Sequence, residues 1–219
     1  MKVSVIMASF INQQRKNADK KFIRAVKSFI KQDYDNKELI IISDGCEITN
    51  KLYDEYFKTY KNITLFKSQK LQPYSGGIRS IGLKLAEGNI ICYLDNDDIF
   101  TKTHISKIVQ QFDINKYTWV YYDDFLLIPN TNFKKFKVRH VKPQWALIGT
   151  STTAHINFYK DKRFNEETDF IPDWGNGKGN GYGHDWLYIQ QLNSTKYSNF
   201  KKLKNRPGYI VCHYGNIDE

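Results

Sequence analysis

Cysteine is scarce in this sequence: three in 219 residues, Cys46, Cys92 and Cys212, far apart. That spacing is neither a disulfide framework nor a zinc pattern, and a reducing cytoplasm is its simplest setting. Long apolar runs are missing as well. No stretch approaches the roughly 20 residues that span a bilayer. Met1 to Phe10 begins like a signal peptide but lacks the cleavage pattern and reads as a strand. No G-x-G-x-x-G follows that strand, so the usual dinucleotide fingerprint is absent. Acids are outnumbered, 23 against 33 lysines and arginines, for a formal charge of +10. Such an excess suits nucleic acid or an anionic membrane surface. The lack of any DNA-binding motif disfavours nucleic acid. The densest basic patches are Lys134, Lys135, Lys137, Arg139, His140 and Lys142, then Lys201, Lys202, Lys204 and Arg206.

What is present is a folded chain. Hydrophobic residues make up 41% and aromatics 15%, enough for one sizeable core, and residues 1–219 read as one domain. Short apolar runs alternate with amphipathic stretches through the first hundred residues. Lys2 to Ala8, Glu38 to Ser43, Ile63 to Lys67 and Ile90 to Leu94 read as strands. Lys20 to Lys31 places Phe22, Ile23, Val26, Phe29 and Ile30 at helical spacing. Ile48 to Tyr60 reads as a helix with Leu52, Tyr56 and Tyr60 inward. Another opens at Gly76-Gly77, with Ile78, Ile81 and Leu85 inward, and closes at Gly88. This alternation predicts βαβ units and a mostly parallel α/β sheet. The second half is mixed: a helix over 103–112, strands over 119–128, 133–141 and 151–159, a glycine-rich loop over 169–183, a helix over 185–192 and a last strand over 208–212.

Two of the strands end in acids: Asp44 on the second, Asp95, Asp97 and Asp98 on the fourth. A buried strand cannot carry adjacent unpaired carboxylates, so the chain must emerge there. Parallel neighbours place both clusters at the carboxyl edge, where open α/β sheets bind ligands. Clustered hard oxygens suit Mg²⁺ or Mn²⁺, and those suit a diphosphate. Each residue also has a plainer reading: Asp44 as the turn residue before Gly45, Asp98 and Asp185 as helix caps, Arg79 as a surface helix residue.

Several motifs in order resemble the family 2 glycosyltransferases of the GT-A fold, over nearly the whole chain. They are V-S-V-I-M-A-S-F at the start, L-I-I-I-S-D-G-C, the block G-G-I-R-S-I-G-L-K-L-A-E-G-N-I-I-C-Y-L-D-N-D-D, then Gly183-His184-Asp185-Trp186 and the terminal C-H-Y. The resemblance implies a GT-A sheet flanked by helices with a smaller mixed acceptor-side region. Residues 1–100 would bind nucleotide-sugar, and residues 101–219 acceptor. It implies inverting transfer from a UDP-sugar to a hydroxyl of a glycan or lipid-linked acceptor. Mn²⁺, or Mg²⁺, would be held by Asp97 and His213, with Asp95 shared between metal and ribose. Ser9, Asp44, Arg79 and Asn96 would join Asp95 around the nucleotide-sugar, with Asp44 on the uracil imide and Arg79 on the diphosphate. Asp185 would be the general base. Trp174, His184 and Trp186 are candidates for acceptor or lid contacts, with Trp186 leaning to core, and the 169–183 loop for a lid. Departures are Ile11 inserted in the first loop, Ser80-Ile81 after the central Arg, His184 where the pattern has Glu, and an ending just after the His213 strand. The expected setting is cytoplasmic, with possible contact at the inner membrane face. The alternatives are a nucleotidyltransferase-like enzyme, a non-catalytic sugar-nucleotide scaffold, and the same chemistry on a nucleic-acid or protein acceptor.

Overall fold

The computed structural model describes residues 1–71, 76–128, 135–174 and 183–212. In chain order the elements of the first half are β1 (Val3–Ser9), α1 (Ala18–Ile30), β2 (Lys37–Asp44), α2 (Glu47–Tyr56), β3 (Ile63–Ser68), α3 (Gly76–Leu85) and β4 (Ile90–Tyr93). There follow β5 (Ile99–Phe100), α4 (His104–Gln111), β6 (Trp119–Tyr121), β7 (Asp124–Leu127), β8 (Phe136–Arg139), β9 (Thr153–Ile156), α5 (His184–Asn193), β10 (Phe200–Lys202) and β11 (Tyr209–Val211). A 3₁₀ turn over Thr150–Thr152 leads into β9.

One sheet has the order β10-β6-β9-β4-β1-β2-β3, and a smaller one the order β5-β11-β7-β8. The strands β3, β2, β1 and β4 run parallel. β1, β2 and β4 are buried on both faces, which is why their sequences are continuous apolar runs, whereas β3 at the sheet edge mixes buried and exposed positions. β9 runs antiparallel between β4 and β6. The chain leaves β1 towards β2 and β3 on one side and returns to β4 on the other. That reversal opens a crevice at the carboxyl ends of β1 and β4.

Helices α1 and α3 seat on the sheet for different reasons. α1 buries Phe22, Ala25, Val26 and Phe29, an apolar stripe at helical spacing. α3 approaches through Gly82, where a Cβ would lie 2.5 Å from Ile6 Cγ2 and 2.9 Å from Ile42 Cδ1. A side chain at 82 would push the helix off the sheet, and Arg79 with it.

Several expectations change in detail. α2 stops at Tyr56, and its buried positions are Thr49 and Asn50, followed by Phe57; Tyr56 and Tyr60 face water. Leu83, not Leu85, is the inward leucine of α3. Gly88 lies beyond that helix and is needed where the chain crosses Ser4, whose backbone N is 2.6 Å from an ideal Cβ. The 119–128 stretch breaks at Tyr122-Asp123 into two strands of different sheets. The basic patches are partly neutralised from within. Asp124 pairs with Arg139, and Asp123 faces His140, Lys202 at 2.6 Å and Arg206 at 3.8 Å. All three cysteines are free and buried. Among the described residues no helix is long and apolar enough to cross a membrane.

Candidate functional site

A cleft of about 490 Å³ opens at the carboxyl edge, and its lining includes Ser9, Asp44, Arg79, Asp95, Asn96, Asp97, His184 and Asp185. The register explains the convergence. Ser9 pairs with Ser43, next to Asp44 at the end of β2, and β4 runs out into Asp95 on the other side of β1. α3 and α5 bring in Arg79 and Asp185 from above the edge.

Arg79 is the hub. It is buried, and its fork donates to Asp95 Oδ1 at 2.6 Å and to Asp185 Oδ1 at 3.4 Å. His184 Nε2 lies 3.0 Å from Arg79 Nη1 and 3.2 Å from Asp185 Oδ1. Burial opposes the guanidinium charge, but the two carboxylates outweigh it and raise the pKa above the usual arginine value. Its face rests 4.9 Å from the Trp174 ring, a cation–π contact. Trp174 is itself buried, stacked on Tyr188 at 4.1 Å and 6°. The expectation of Trp174 as a sugar-stacking or lid residue is therefore corrected: it is the floor under Arg79. Its loop is tied down here, because Ser80 donates to Asp173 and the Asp173 N–H donates to Gln191 Oε1 at 2.8 Å. Residues 175–182 of the expected lid lie outside the described residues. Trp186 is half-buried and packs against the core.

Asp185 sits in the first turn of α5, after Gly183 in a left-handed conformation. Burial would raise its pKa. The His184 hydrogen bond, the Arg79 charge and the Thr150 hydroxyl bring it instead down to about 2. It is ionised at neutral pH, the state a proton acceptor needs.

Asp44 is buried beneath a cation that sequence reasoning missed. Lys70 pairs with its Oδ2, and the Leu71 N–H donates to Oδ1 at 2.9 Å. The Lys70 ammonium also lies 4.3 Å from the centre of the half-exposed Phe10 ring. The Asp-Gly turn makes this possible. Gly45 has φ +62°, and a Cβ there would meet Lys70 N at 2.7 Å. Asp44 is thus both turn residue and cleft acid. Lys70 was legible as the exit of a third strand on the same edge; Thr150 carried no such signal.

The acid turn divides by direction. Asp95 and Asp97 are half-buried and line the cleft, while Asp98 is 1% exposed and points inward. No helix starts at Asp98, so its reading as a cap is corrected. It accepts from the Tyr209 hydroxyl at 2.9 Å and the Cys212 N–H at 2.8 Å, pinning the last strand beneath the turn. The Tyr209 oxygen also accepts from the Asp95 N–H at 3.2 Å. Arg24 donates to the Asp97 carbonyl at 2.6 Å, and Asn96 Nδ2 to Ser9 Oγ at 3.3 Å. His213 lies outside the described residues. Among the described residues no three His, Cys, Asp or Glu side chains converge as a metal-binding group.

An open, largely parallel sheet with a charged cleft at its carboxyl edge defines an α/β ligand-binding enzyme fold. Residues 4–162 match the Glycosyl transferase family 2 model, and the chain belongs to that family. It is similar to the poly(ribitol-phosphate) beta-N-acetylglucosaminyltransferase TarS of Staphylococcus aureus, 30% identical over 47% of this chain and 17% of TarS. It is also similar to an Escherichia coli protein, the UDP-Glc:alpha-D-GlcNAc-diphosphoundecaprenol beta-1,3-glucosyltransferase WfaP, 29% identical over 54% of this chain and 44% of WfaP. The chain thus spans less than half the length of either relative. Among solved structures, residues 1–349 of TarS in complex with UDP-GlcNAc match with a TM-score of 0.66 at 19% identity, over 96% of this chain and 58% of that fragment. The mannosyltransferase PcManGT of Pyrobaculum calidifontis, in complex with GDP-Man and Mn²⁺, matches at 0.64 and 11% identity, over 96% and 56%. These likenesses show the shared GT-A type of fold.

Proposed function

We propose that this chain transfers a sugar, with inversion, from a UDP-sugar to a hydroxyl of a glycan or lipid-linked acceptor. The observation that carries the reading is the convergence of Asp44, Arg79, Asp95, Asp97 and Asp185 on one cleft. Asp44 accepts the uracil imide N–H, and Lys70 beside it meets a uracil carbonyl. Cytosine presents an acceptor where uracil has that N–H, so the carboxylate repels it. The Arg79 fork matches phosphate oxygens. Asp95 and Asp97 form a hard-oxygen donor set on one turn, which fits Mn²⁺ or Mg²⁺. A divalent cation held by these two carboxylates would supply positive charge against the departing diphosphate. Asp185 takes the acceptor proton as the acceptor oxygen bonds to the anomeric carbon and the bond from that carbon to the diphosphate breaks. Arg79 couples the two halves: when a diphosphate draws its charge, Asp185 loses a cation that depresses its basicity. TarS and WfaP carry sugar-polymer and lipid-diphosphate acceptors in their names, which supports the acceptor class assigned here.

Calorimetric titration with UDP, CMP and GDP, with and without Mn²⁺, tests the donor half. UDP is expected to bind most tightly and to gain affinity with the metal. Equal affinity for the three nucleotides removes the role given to Asp44. A metal-dependent hydrolysis screen over UDP-glucose, UDP-galactose and the UDP-N-acetylhexosamines then names the donor.

A further inference from the structure

Trp145 is 53% exposed, although an indole is among the most rewarding side chains to bury. A tight turn holds it outward. The Leu147 N–H donates to the Gln144 carbonyl at 3.1 Å, the Lys142 N–H donates to the Leu147 carbonyl at 3.2 Å, and between them Ala146 takes φ +60°. That is a strained conformation for a residue with a Cβ. The turn therefore gives up both burial and a relaxed backbone to present this ring.

The ring's position ties it to Asp185. A Cβ on Gly183 would lie 2.3 Å from Trp145 Cη2 and 2.6 Å from Cζ3, so the indole lies against the backbone two residues before Asp185. The same segment runs on to Gly149, whose Cβ position is 3.6 Å from Asp185 Oδ2, and to Thr150, which donates to Asp185 Oδ1. One turn along α5, the Leu187 N–H donates to the Gly183 carbonyl at 3.1 Å, and Leu187 is also 53% exposed. Trp145 does not line the cleft that holds Asp44 and Asp97. An apolar aromatic surface thus adjoins the base but stands outside the donor site.

We propose that Trp145, flanked by Leu187, is the platform on which a pyranose ring of the acceptor stacks, so that the acceptor presents a sugar and not only a lipid chain. This rests on Asp185 being the acceptor-side base. A pyranose offers an apolar C–H face that packs on an indole while its hydroxyls stay solvated, and an exposed ring beside a polar cleft suits such a ligand.

The test uses the ¹⁵N-labelled full chain with UDP and diamagnetic Mg²⁺, titrated with cellobiose, lactose and chitobiose while the indole N–H and the backbone amide resonances, Gly183 among them, are followed. At least one disaccharide is expected to shift the Trp145 resonance, which is identified by its loss in Trp145→Phe. Trp145→Leu is expected to weaken that binding about tenfold, Trp145→Phe to retain most of it, and Leu187→Ser to weaken it less. Disaccharides that leave the Trp145 resonance unmoved overturn the proposal, as does Trp145→Leu binding them like the unsubstituted chain. So does octyl phosphate shifting that resonance when no disaccharide does. UDP titrated into the labelled chain before any disaccharide is added is the separate readout. Its failure to bind counts against the glycosyl-transfer reading and leaves the stacking result to be judged by itself.

Discussion

Replacing Asp98 by Asn changes one oxygen for an amide at a site that can accept but has little to donate to. The Asp98 carboxylate takes the Tyr209 hydroxyl at 2.9 Å and the Cys212 N–H at 2.8 Å. In Asp98→Asn the Oδ1 can still take the Cys212 N–H. The amide NH₂ then faces the Tyr209 oxygen, which already accepts the Asp95 N–H. The phenolic proton must turn away and is left without its carboxylate in a fully buried pocket. A lost hydrogen bond to a carboxylate is worth about 1.5–3 kcal/mol, and an unsatisfied buried group costs a similar amount. Relief from burying the carboxylate offsets part of that. The net expectation is a loss of about 2–3 kcal/mol. At about 2–4 °C per kcal/mol for a chain of this size, melting falls by roughly 4–12 °C in scanning calorimetry. Asp98→Ala should lose at least as much. A melting point within about 1 °C of the unsubstituted protein refutes the anchoring role. Hydrogen exchange at the Cys212 amide gives an independent reading, and it should quicken in the variant.

Asp185→Asn should lower transfer by about 10²–10⁴-fold while leaving UDP affinity nearly unchanged; a large loss of UDP affinity places Asp185 in the donor site instead. Arg79→Lys replaces a fork that reaches two carboxylates by a point charge. UDP binding should weaken by on the order of tenfold, with a melting loss of similar origin, and an unchanged UDP affinity counts against the diphosphate role. Gly82→Val should destabilise by about 1–3 kcal/mol through overpacking against Ile6 and Ile42, read from urea midpoints. His155 and His104 are buried neutral, with pKa values pushed down by burial to about 4 and about 3. The unfolded chain binds those protons near pH 6.5 and the folded one does not. Stability should therefore fall as pH drops from about 6.5 towards 4, by up to about 1.4 kcal/mol per unit for each histidine, and His155→Gln should flatten the slope.

The parallel half of the fold was legible because its signals are local. Continuous apolar runs mark β1, β2 and β4, and the 3.6-residue spacing of Phe22, Val26 and Phe29 marks α1. The edge acids followed from topology, since neighbouring parallel strands end together. Much of the rest depends on partners distant in sequence. Nothing near Arg79 announces that it is buried, because the carboxylates that hold its charge lie at 95 and 185. Trp174 is indistinguishable from a lid aromatic until Tyr188 and Arg79 are placed on its two faces. Asp95, Asp97 and Asp98 look alike on paper; the turn decides which face the cleft, and Tyr209 and Cys212, both distant in sequence, hold Asp98 inward. β5 and β10, two and three residues long, are too short to carry a period. The inward face of α2 carries Thr49 and Asn50, polar residues in buried positions that no apolar spacing marks.

The pairing of β11 with β5 and β7, and the pin from Asp98 to Cys212, have a consequence for synthesis on the ribosome. Strands β1 to β4 can assemble as they emerge, since each pairs with a strand already made. The acid turn cannot: its underside is completed by residues more than a hundred positions later. A nascent chain stalled before Tyr209 should hold a formed parallel sheet and an unsupported acid turn. Ligand affinity should then appear late and abruptly during translation, well after protease resistance of the N-terminal half.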